Sequence, residues 1–311
     1  MVKELEKWES ELDVCIRCGY CYEHCPFFKL TGWEIDTPRG KLILIHGLLT
    51  GKIKPSKELT EKIYECFYCK ECEKSCSAKV PITDIFTDAR KALLEEGFTG
   101  EGVTVAVDED ICSGCGICVA VCKSEATTLK EKGGKLVAEV DRVKCKGCGV
   151  CISACPSGAR TLKEGYKVSK IEMKREIDEY LNNAKDPKVI VFCCNWSIYP
   201  GLQLSEFHSN GENYKIIVCM CGGRISPDLI IYAFTRGAGG VMLGVCPFGE
   251  CEHDGNYKAY RRVRALQRMF KSFGVEPERI KIDWFKTGEA KKLKKSIEDF
   301  VNKIAKMGEI K

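Results

Sequence analysis

Apolar and polar positions change rhythm along the 311-residue chain, and each change marks a different kind of element. In the first hundred residues the rhythm is helical. "PRGKLILIHGLLTGKI" from Pro38 and "PSKELTEKIYEC" from Pro55 have helical periodicity, with Pro55-Ser56 as a helix start. "VPITDIFTDARKALLEEG" from Val80 is a further amphipathic helix. Farther on, "TTLKEKGGKLVAEVDRVK" from Thr127 reads as two short strands around a Gly-Gly turn. "KIEMKREIDEYLNNAKD" from Lys170 returns to a helix that ends before Pro187. Beyond it, short apolar runs alternate with helices: "KVIVFCC", "YKIIVCMC", "PDLIIYAFTRGA", "GVMLGVC", "NYKAYRRVRALQRMFKSFG", "RIKIDWF" and a Lys/Glu-rich terminal helix. Continuous Val/Ile runs between helices predict a buried parallel sheet. The expected fold class is α+β multidomain. It comprises an all-helical module over 1–100, a βαβ-type module over 101–165, a helical linker over 166–187 and a C-terminal α/β parallel-sheet domain over 188–311.

Hydrophobic residues make up 44% and charged residues 30%, a globular rather than disordered balance. No run reaches the roughly 18 apolar residues of a membrane span. "DLIIYAFTRGAGGVMLGV" comes nearest and is broken by Arg236 and glycines. The opening "MVKELEKWESEL" is charged and has no apolar signal core. The 22 cysteines change the picture most. A chain of this length without a signal sequence is expected to keep them as thiols in a reducing cytoplasm rather than as a disulfide scaffold.

Four strings repeat one spacing, C-x2-C-x2-C-x3-C: "CIRCGYCYEHCP" from Cys15, "CFYCKECEKSC" from Cys66, "CSGCGICVAVC" from Cys112 and "CKGCGVCISACP" from Cys145. Zinc wants two C-x2-C pairs, not a tightly packed quartet. Three close thiolates that cap one four-iron cluster, with the fourth leading away to another, account for the spacing. The formal charge of +5 counts thiols as neutral. Each oxidised four-iron cluster with its thiolates carries about −2, so the loaded chain is expected to be acidic and not to bind nucleic acid.

The third and fourth strings begin 33 residues apart, and "VDEDICSGCGICVAVC" and "VDRVKCKGCGVCISACPSGA" are near copies, an internal duplication. This pair resembles the bacterial two-cluster ferredoxin. The resemblance implies crossed ligation: Cys112, Cys115, Cys118 and Cys155 on one cluster, Cys145, Cys148, Cys151 and Cys122 on the other. Lys123 follows Cys122 where that family carries proline, which implies an altered potential rather than a lost cluster. The first and second strings begin 51 residues apart. Their spacing, "TPRGKL" between them and "VPITDIFTDAR" after them resemble the all-helical ferredoxin that forms the C-type subunit of heterodisulfide reductase, also seen in succinate dehydrogenase iron–sulfur subunits. The same crossing assigns Cys15, Cys18, Cys21 and Cys76 together, and Cys66, Cys69, Cys72 and Cys25 together.

In the C-terminal domain, cysteines fall at the ends of three predicted strands: Cys193/Cys194, Cys219/Cys221, and Cys246 with Cys251 in the following loop. Ligands collect at that edge of open α/β sheets. Buried structural thiols are the plainer reading of isolated cysteines, but three strands ending alike point to a shared site. "FCCNW", "MCGGRISPD", "AFTRGAGGVML", "GVCPFGEC" before "GN", and "IDWF" resemble the delta subunit of methyl-viologen-reducing hydrogenase over about 188–290. That resemblance implies a two-iron cluster on Cys194, Cys221, Cys246 and Cys251. The family often has cysteine where Ser197 stands here, so Cys193 is the alternative to Cys194. Cys219 reads as a strand thiol. The duplicated segment and the helix after it also resemble the C-terminal ferredoxin insert found in the A-type subunit of heterodisulfide reductase.

Taken together, the resemblances imply four 4Fe-4S clusters, one 2Fe-2S cluster and no catalytic residue. The chain would be a non-catalytic electron-transfer subunit of a cytoplasmic, anaerobic heterodisulfide reductase-type complex, extending to flavin-based electron bifurcation. Its partners would be a donor such as a hydrogenase or formate dehydrogenase, a flavin-bearing A-type protein and a B-type disulfide reductase, with no membrane. "GAGG" at 237–240 precedes a strand, whereas the dinucleotide fingerprint follows one. The alternative is a stand-alone disulfide or thiol oxidoreductase using Cys193-Cys194 or Cys219. Adjacent cysteines rarely form a relaxed disulfide, and no C-C-G motif occurs. Clusters acting only as folding staples fit poorly in a chain large enough to build ordinary cores. The basic residues of "KAYRRVRALQRMFK" read as a solvated face, with docking on an acidic partner as the alternative, and Trp33, Trp196 and Trp284 read as core. Among His24, His46, His208 and His253, only His253 lies near a candidate ligand.

Overall fold

The computed structural model describes residues 2–23, 25–162, 170–194, 210–211, 213–286 and 288–310. The chain divides into two units: residues 1–119, 124–147 and 160–166 in one, and 120–123, 148–159 and 167–311 in the other. No helix among the described residues is long and apolar enough to cross a membrane.

Helices and 3-10 turns carry the described residues of the first unit up to Glu95, with no strand among them. The helix Pro38–Leu49 starts where the sequence sets it. Proline occupies its first turn, and Thr37 Oγ1 accepts the Gly40 N–H at 2.9 Å. Ser56 does the same for the helix Lys57–Tyr64, accepting from Leu59 N–H at 3.2 Å. The helix Ile82–Glu95 buries Ile85, Phe86, Ala89 and Leu93 on one face. Trp33, expected in the core, is instead 70% exposed. It stands between the left-handed Gly32 that ends the helix Pro26–Thr31 and the 3-10 turn Glu34–Asp36, so no helical face carries it inward.

The rest of this unit is built on β1 (Val105–Val107), the hairpin of β2 (Thr127–Lys132) and β3 (Lys135–Val140), and β4 (Arg160–Leu162). β1 pairs antiparallel with β4, Val105 opposite Leu162, and the hairpin turns at Gly133-Gly134 as the sequence indicates. The internal duplication recurs in the backbone. Asp108 Oδ1 accepts from the N–H groups of Asp110 and Ile111 at 3.0 and 3.4 Å. Asp141 Oδ1 accepts from those of Val143 and Lys144 at 2.9 and 3.2 Å. Each aspartate precedes the first cysteine of its string by four positions, and its turn aims the chain into that string.

In the second unit, β5 (Val189–Cys194), β7 (Tyr214–Cys219), β8 (Gly240–Val245) and β9 (Ile280–Trp284) are parallel. The sheet order is β6-β7-β5-β8-β9, with β6 (Asn210–Gly211) a short antiparallel edge. Every residue of β5 and β8 is buried, which explains their continuous apolar runs. The helices Lys170–Asn183, Pro227–Thr235 and Gly255–Ser272 cover one face through Ile177, Leu229 and Val263. The helix Ala290–Met307 covers the other through Leu293, Ile297 and Phe300. The chain steps from β5 to β7 on one side and then to β8 on the other, so strand order reverses at β5. Such a switch point opens a crevice at the C-terminal ends of the strands. Trp284 packs against this core; Trp196, Ser197, His24 and His208 lie outside the described residues.

Candidate metal centres

The crevice beside β5 holds the C-terminal cysteines. Successive strand side chains point to opposite faces, and the Cys193-Cys194 pair divides accordingly. Cys193 packs in the core under the helix Ala290–Met307, with Val189, Val191 and Met242. Cys194 turns to the crevice, its Sγ 3.6 Å from that of Cys246 just past β8. Cys221 enters two residues past β7, within reach of Cys251 and His253; the ligand atoms of these three lie within 4.8 Å of one another. The four cysteines carried over by resemblance therefore meet at one place, and Cys193 and Cys219 do not join them. Cys219 belongs to the opposite core cluster, and its thiol donates to the Cys193 carbonyl at 3.4 Å.

Local backbone builds this arrangement. The helix Gly255–Ser272 begins at the site, and the Gly255 N–H donates to Cys251 Sγ at 3.3 Å. The N-terminal end of an 18-residue helix favours negative charge on that sulfur. Gly255 must lack a side chain, because a Cβ there would stand 2.2 Å from Cys221 Sγ. The thiols share their protons unequally. Donation from Cys221 and then Cys246 holds Cys251 well below its ordinary value. Donation to Cys251, then burial, raises Cys221; donation involving Cys194 and then Cys251 raises Cys246. Such a set deprotonates together only when a metal supplies the compensating charge. His253, 4% exposed, is a site residue that sequence spacing ranked low. Its only sequence signal was standing two positions after Cys251.

Two further cavities, both in the first unit, are each lined by four cysteines. One has Cys15, Cys18, Cys21 and Cys76; the other has Cys25, Cys66, Cys69 and Cys72. These are the two crossed sets implied by the helical-ferredoxin resemblance. Burial pushes the Cys21 thiol up to about 11 and raises Cys25, Cys69 and Cys72 as well. Two cations line each cavity, Arg17 with Arg39 and Lys41 with Lys70, and "TPRGKL" supplies one to each. Arg39 lines the first, with no hydrogen-bond partner for its Nε among the described residues. Lys41 lines the second; it is 2% exposed and donates to the Asp36 carbonyl at 2.5 Å. Two residues apart at the start of one helix, they place one positive charge at each four-thiol set. A buried cation beside thiols that must ionise fits an anionic cluster.

Comparison with known proteins agrees in each region. Residues 189–308 match the model of the methyl-viologen-reducing hydrogenase delta subunit. Residues 11–80 and 111–159 each match a 4Fe-4S dicluster domain. The chain is 40% identical over 126 residues to the D-type iron-sulfur subunit of the vhc F420-non-reducing hydrogenase of Methanococcus voltae, covering 40% of this chain and 88% of that protein. The chain belongs to the hydrogenase iron–sulfur delta family. Its counterpart in the F420-non-reducing hydrogenase of Archaeoglobus profundus is 34% identical over 129 residues, 40% of this chain and 94% of that one. The A-type subunit of the ferredoxin:CoB-CoM heterodisulfide reductase of Methanosarcina mazei is 33% identical over 207 residues, 66% of this chain and 25% of that much longer protein. This delta-family chain is an iron–sulfur electron-transfer subunit related to heterodisulfide reductase and F420-non-reducing hydrogenase subunits.

The delta-family domain carries contacts to the duplicated strings that the sequence did not announce. Lys123, the departure from the ferredoxin proline, pairs with Asp254 at 2.9 Å, just before the helix that starts at the C-terminal site. Arg262, read as part of a solvated face, turns inward. Its Nη1 donates to the carbonyls of Gly223 and Ile225 at 2.6 and 3.0 Å, and Nη2 to Ser153 Oγ at 3.1 Å. Arg261, Arg264 and Arg268 remain exposed, as expected of that face. In the first unit, Arg90 is 0% exposed, donates to the Tyr64 and Cys66 carbonyls at 2.8 and 3.4 Å, and reaches the Cys145 carbonyl at 3.5 Å. It also stacks between the rings of Tyr64 and Tyr68. One buried cation thus braces the backbone of the second string against that of the fourth. Of the duplicated strings' own cysteines, Cys112, Cys118, Cys145 and Cys151 are buried, Cys115 is exposed, and Cys122, Cys148 and Cys155 are half-buried.

Proposed function

We propose that the chain carries four 4Fe-4S clusters and one 2Fe-2S cluster and passes single electrons along them. The two-iron cluster is assigned to Cys194, Cys221, Cys246 and Cys251. The four-iron clusters are assigned to Cys15/Cys18/Cys21/Cys76, Cys66/Cys69/Cys72/Cys25, Cys112/Cys115/Cys118/Cys155 and Cys145/Cys148/Cys151/Cys122. The convergence of four sulfurs from three strand ends and one loop carries this reading, because nothing in sheet packing alone requires it. The two four-cysteine cavities support the rest. Bound clusters supply reversible one-electron chemistry. The chain's own residues hold the thiolates, bury part of them and place Arg39 and Lys41 beside two of the sets, and burial and nearby charge are means by which a protein sets potential.

The domain reading follows: a C-type helical ferredoxin over 1–100, a two-cluster ferredoxin over 101–165, a linker helix and a delta-like domain over 188–311. In this scheme a donor oxidoreductase, such as a hydrogenase or formate dehydrogenase, delivers electrons at the delta-like domain. A flavin-bearing A-type partner and a B-type disulfide reductase receive them, in a cytoplasmic complex. Placement speaks against a self-contained disulfide reductase. Cys193 and Cys194 face opposite sides of β5, and Cys193 and Cys219 are both wholly buried. The test is turnover by the isolated chain. Its reduced clusters are expected to reoxidise with dyes while showing no steady-state reduction of a disulfide or of NAD. Sustained, enzyme-dependent thiol production from a heterodisulfide would overturn the relay reading. Proteins that co-purify with the native complex identify the donor and the acceptors.

A further inference from the structure

Within the second unit, a buried cation lies between the C-terminal site and residues 148–155 of the fourth string. Arg224 closes the 3-10 turn Gly222–Arg224 that follows Cys221, and is 3% exposed. Its side chain runs over Gly149, the residue after Cys148. Gly149 has φ of +72°, and a Cβ there would stand 2.9 Å from Arg224 Cδ and 3.1 Å from its Nε. Among the described residues, Arg224 Nε and Nη1 have no hydrogen-bond partner. The ionisable groups facing it are Cys219, Cys148, Cys151 and, most weakly, Glu172. Cys219 is engaged with the Cys193 carbonyl and Glu172 acts most weakly, which leaves the two string thiols as the groups that turn anionic when a metal binds.

A guanidinium that meets only the weak charge of Glu172 and has two unbonded nitrogens is costly to bury, and a negative group brought beside it offsets that cost. We propose that Arg224 is the counter-charge of the four-iron cluster held through Cys148 and Cys151, and that it raises that cluster's reduction potential. The inference rests on the ligand reading of the fourth string. Reduction adds one negative charge to a cluster, so a fixed buried cation favours the reduced form, and N–H donors near cluster sulfurs act in the same direction. Arg224 thereby makes this cluster a better acceptor for an electron arriving from the neighbouring C-terminal site. It acts as a positioning residue for charge and ligates nothing.

Other contacts hold the two segments together without it. Ser153 Oγ donates to the Gly223 carbonyl at 2.7 Å, and Arg262 clamps the same carbonyl and Ser153 from the other side. Removing the Arg224 charge is therefore expected to leave this docking in place.

The test uses the full chain, anaerobically reconstituted, with EPR-monitored redox titration and iron analysis. Cys151→Ser identifies the signal of the cluster in question. Arg224→Gln is expected to keep its iron. At a fixed potential it should lower that one cluster's reduced-to-oxidised ratio at least tenfold, about 59 mV for a one-electron couple. The other clusters should stay within error, and Arg224→Lys should recover more than half of the shift. Arg224→Met carries the same expectation without a polar group to bury, should the Gln variant fold poorly. Unchanged potentials in a fully loaded Gln or Met variant, or an equal shift at every cluster, overturn the inference alone. A Cys151→Ser chain that loses no four-iron signal overturns the ligand reading and the inference with it.

Discussion

Gly255→Ala is the smallest change that tests how the C-terminal centre is built. Gly255 has ordinary backbone angles, so alanine costs nothing in conformation there and only the added methyl matters. That methyl would lie 2.2 Å from Cys221 Sγ and 2.7 Å from the Gly223 nitrogen. Non-bonded atoms settle at roughly 3.5–4.0 Å, so either the sulfur or the whole turn must retreat by about 1 Å or more. Metal–ligand distances tolerate only about 0.2 Å, so the displaced thiolate can no longer ligate in place. Overpacking of this kind costs about 1–3 kcal/mol of stability. The assay pairs anaerobic denaturation with iron content and EPR of the reduced chain. Loss or distortion of the two-iron signal is expected, with four-iron signals retained and stability lowered within that range. Ala259→Gly, one turn along the same helix, is the control. It removes about 1 kcal/mol through helix propensity and a buried methyl besides, and it approaches no sulfur, so its two-iron signal should be intact. A Gly255→Ala chain with the wild-type two-iron spectrum and unchanged stability would refute the geometry argued here.

The cysteine substitutions separate ligands from bystanders. Cys221→Ser or Cys251→Ser is expected to remove or degrade the two-iron signal while the four-iron signals persist, because serine does not match a soft thiolate. Cys219→Ser and Cys193→Ser should keep it and cost only stability, about 1–3 kcal/mol for a hydroxyl placed in an apolar core; the reverse pattern sinks the assignment. Arg90→Met removes the buried donor of the Ile63 and Cys66 carbonyls and one of the two donors of the Tyr64 carbonyl, which keeps the Cys66 N–H. At about 1–3 kcal/mol per unsatisfied group, a loss of roughly 3 kcal/mol or more is expected in anaerobic urea titration, and a loss under about 0.5 kcal/mol would show that the brace carries nothing.

Spacing made the four strings legible, because three thiolates in tight succession suit a cluster and little else. Periodicity made the parallel sheet legible, since β5 and β8 are buried at every position and read as unbroken apolar runs. The choice between Cys193 and Cys194 was not legible. It depends on which face of β5 each occupies, and adjacent cysteines carry no mark of register. "TPRGKL" was readable as a resemblance but not as a device; only the fold shows Arg39 and Lys41 lining different cavities. Trp33 misled because aromatic residues usually sit inside, while this one follows a left-handed glycine on a short connection. Arg224 lies inside the "MCGGRISPD" stretch and Arg262 among the charges of its helix, and the inward turn of both comes from tertiary contacts that no local pattern encodes. His253 was legible only as a neighbour of Cys251; a lone histidine acquires further meaning when the loop after Cys251 folds back on Cys221.

Iron and acid-labile sulfide, measured with zinc on the anaerobically purified full chain, test the central claim most directly. Four four-iron clusters and one two-iron cluster predict about 18 irons, about 18 sulfides and no stoichiometric zinc per chain. Stoichiometric zinc with fewer than about eight irons would contradict the account, because the repeated C-x2-C-x2-C-x3-C strings would then not be holding clusters.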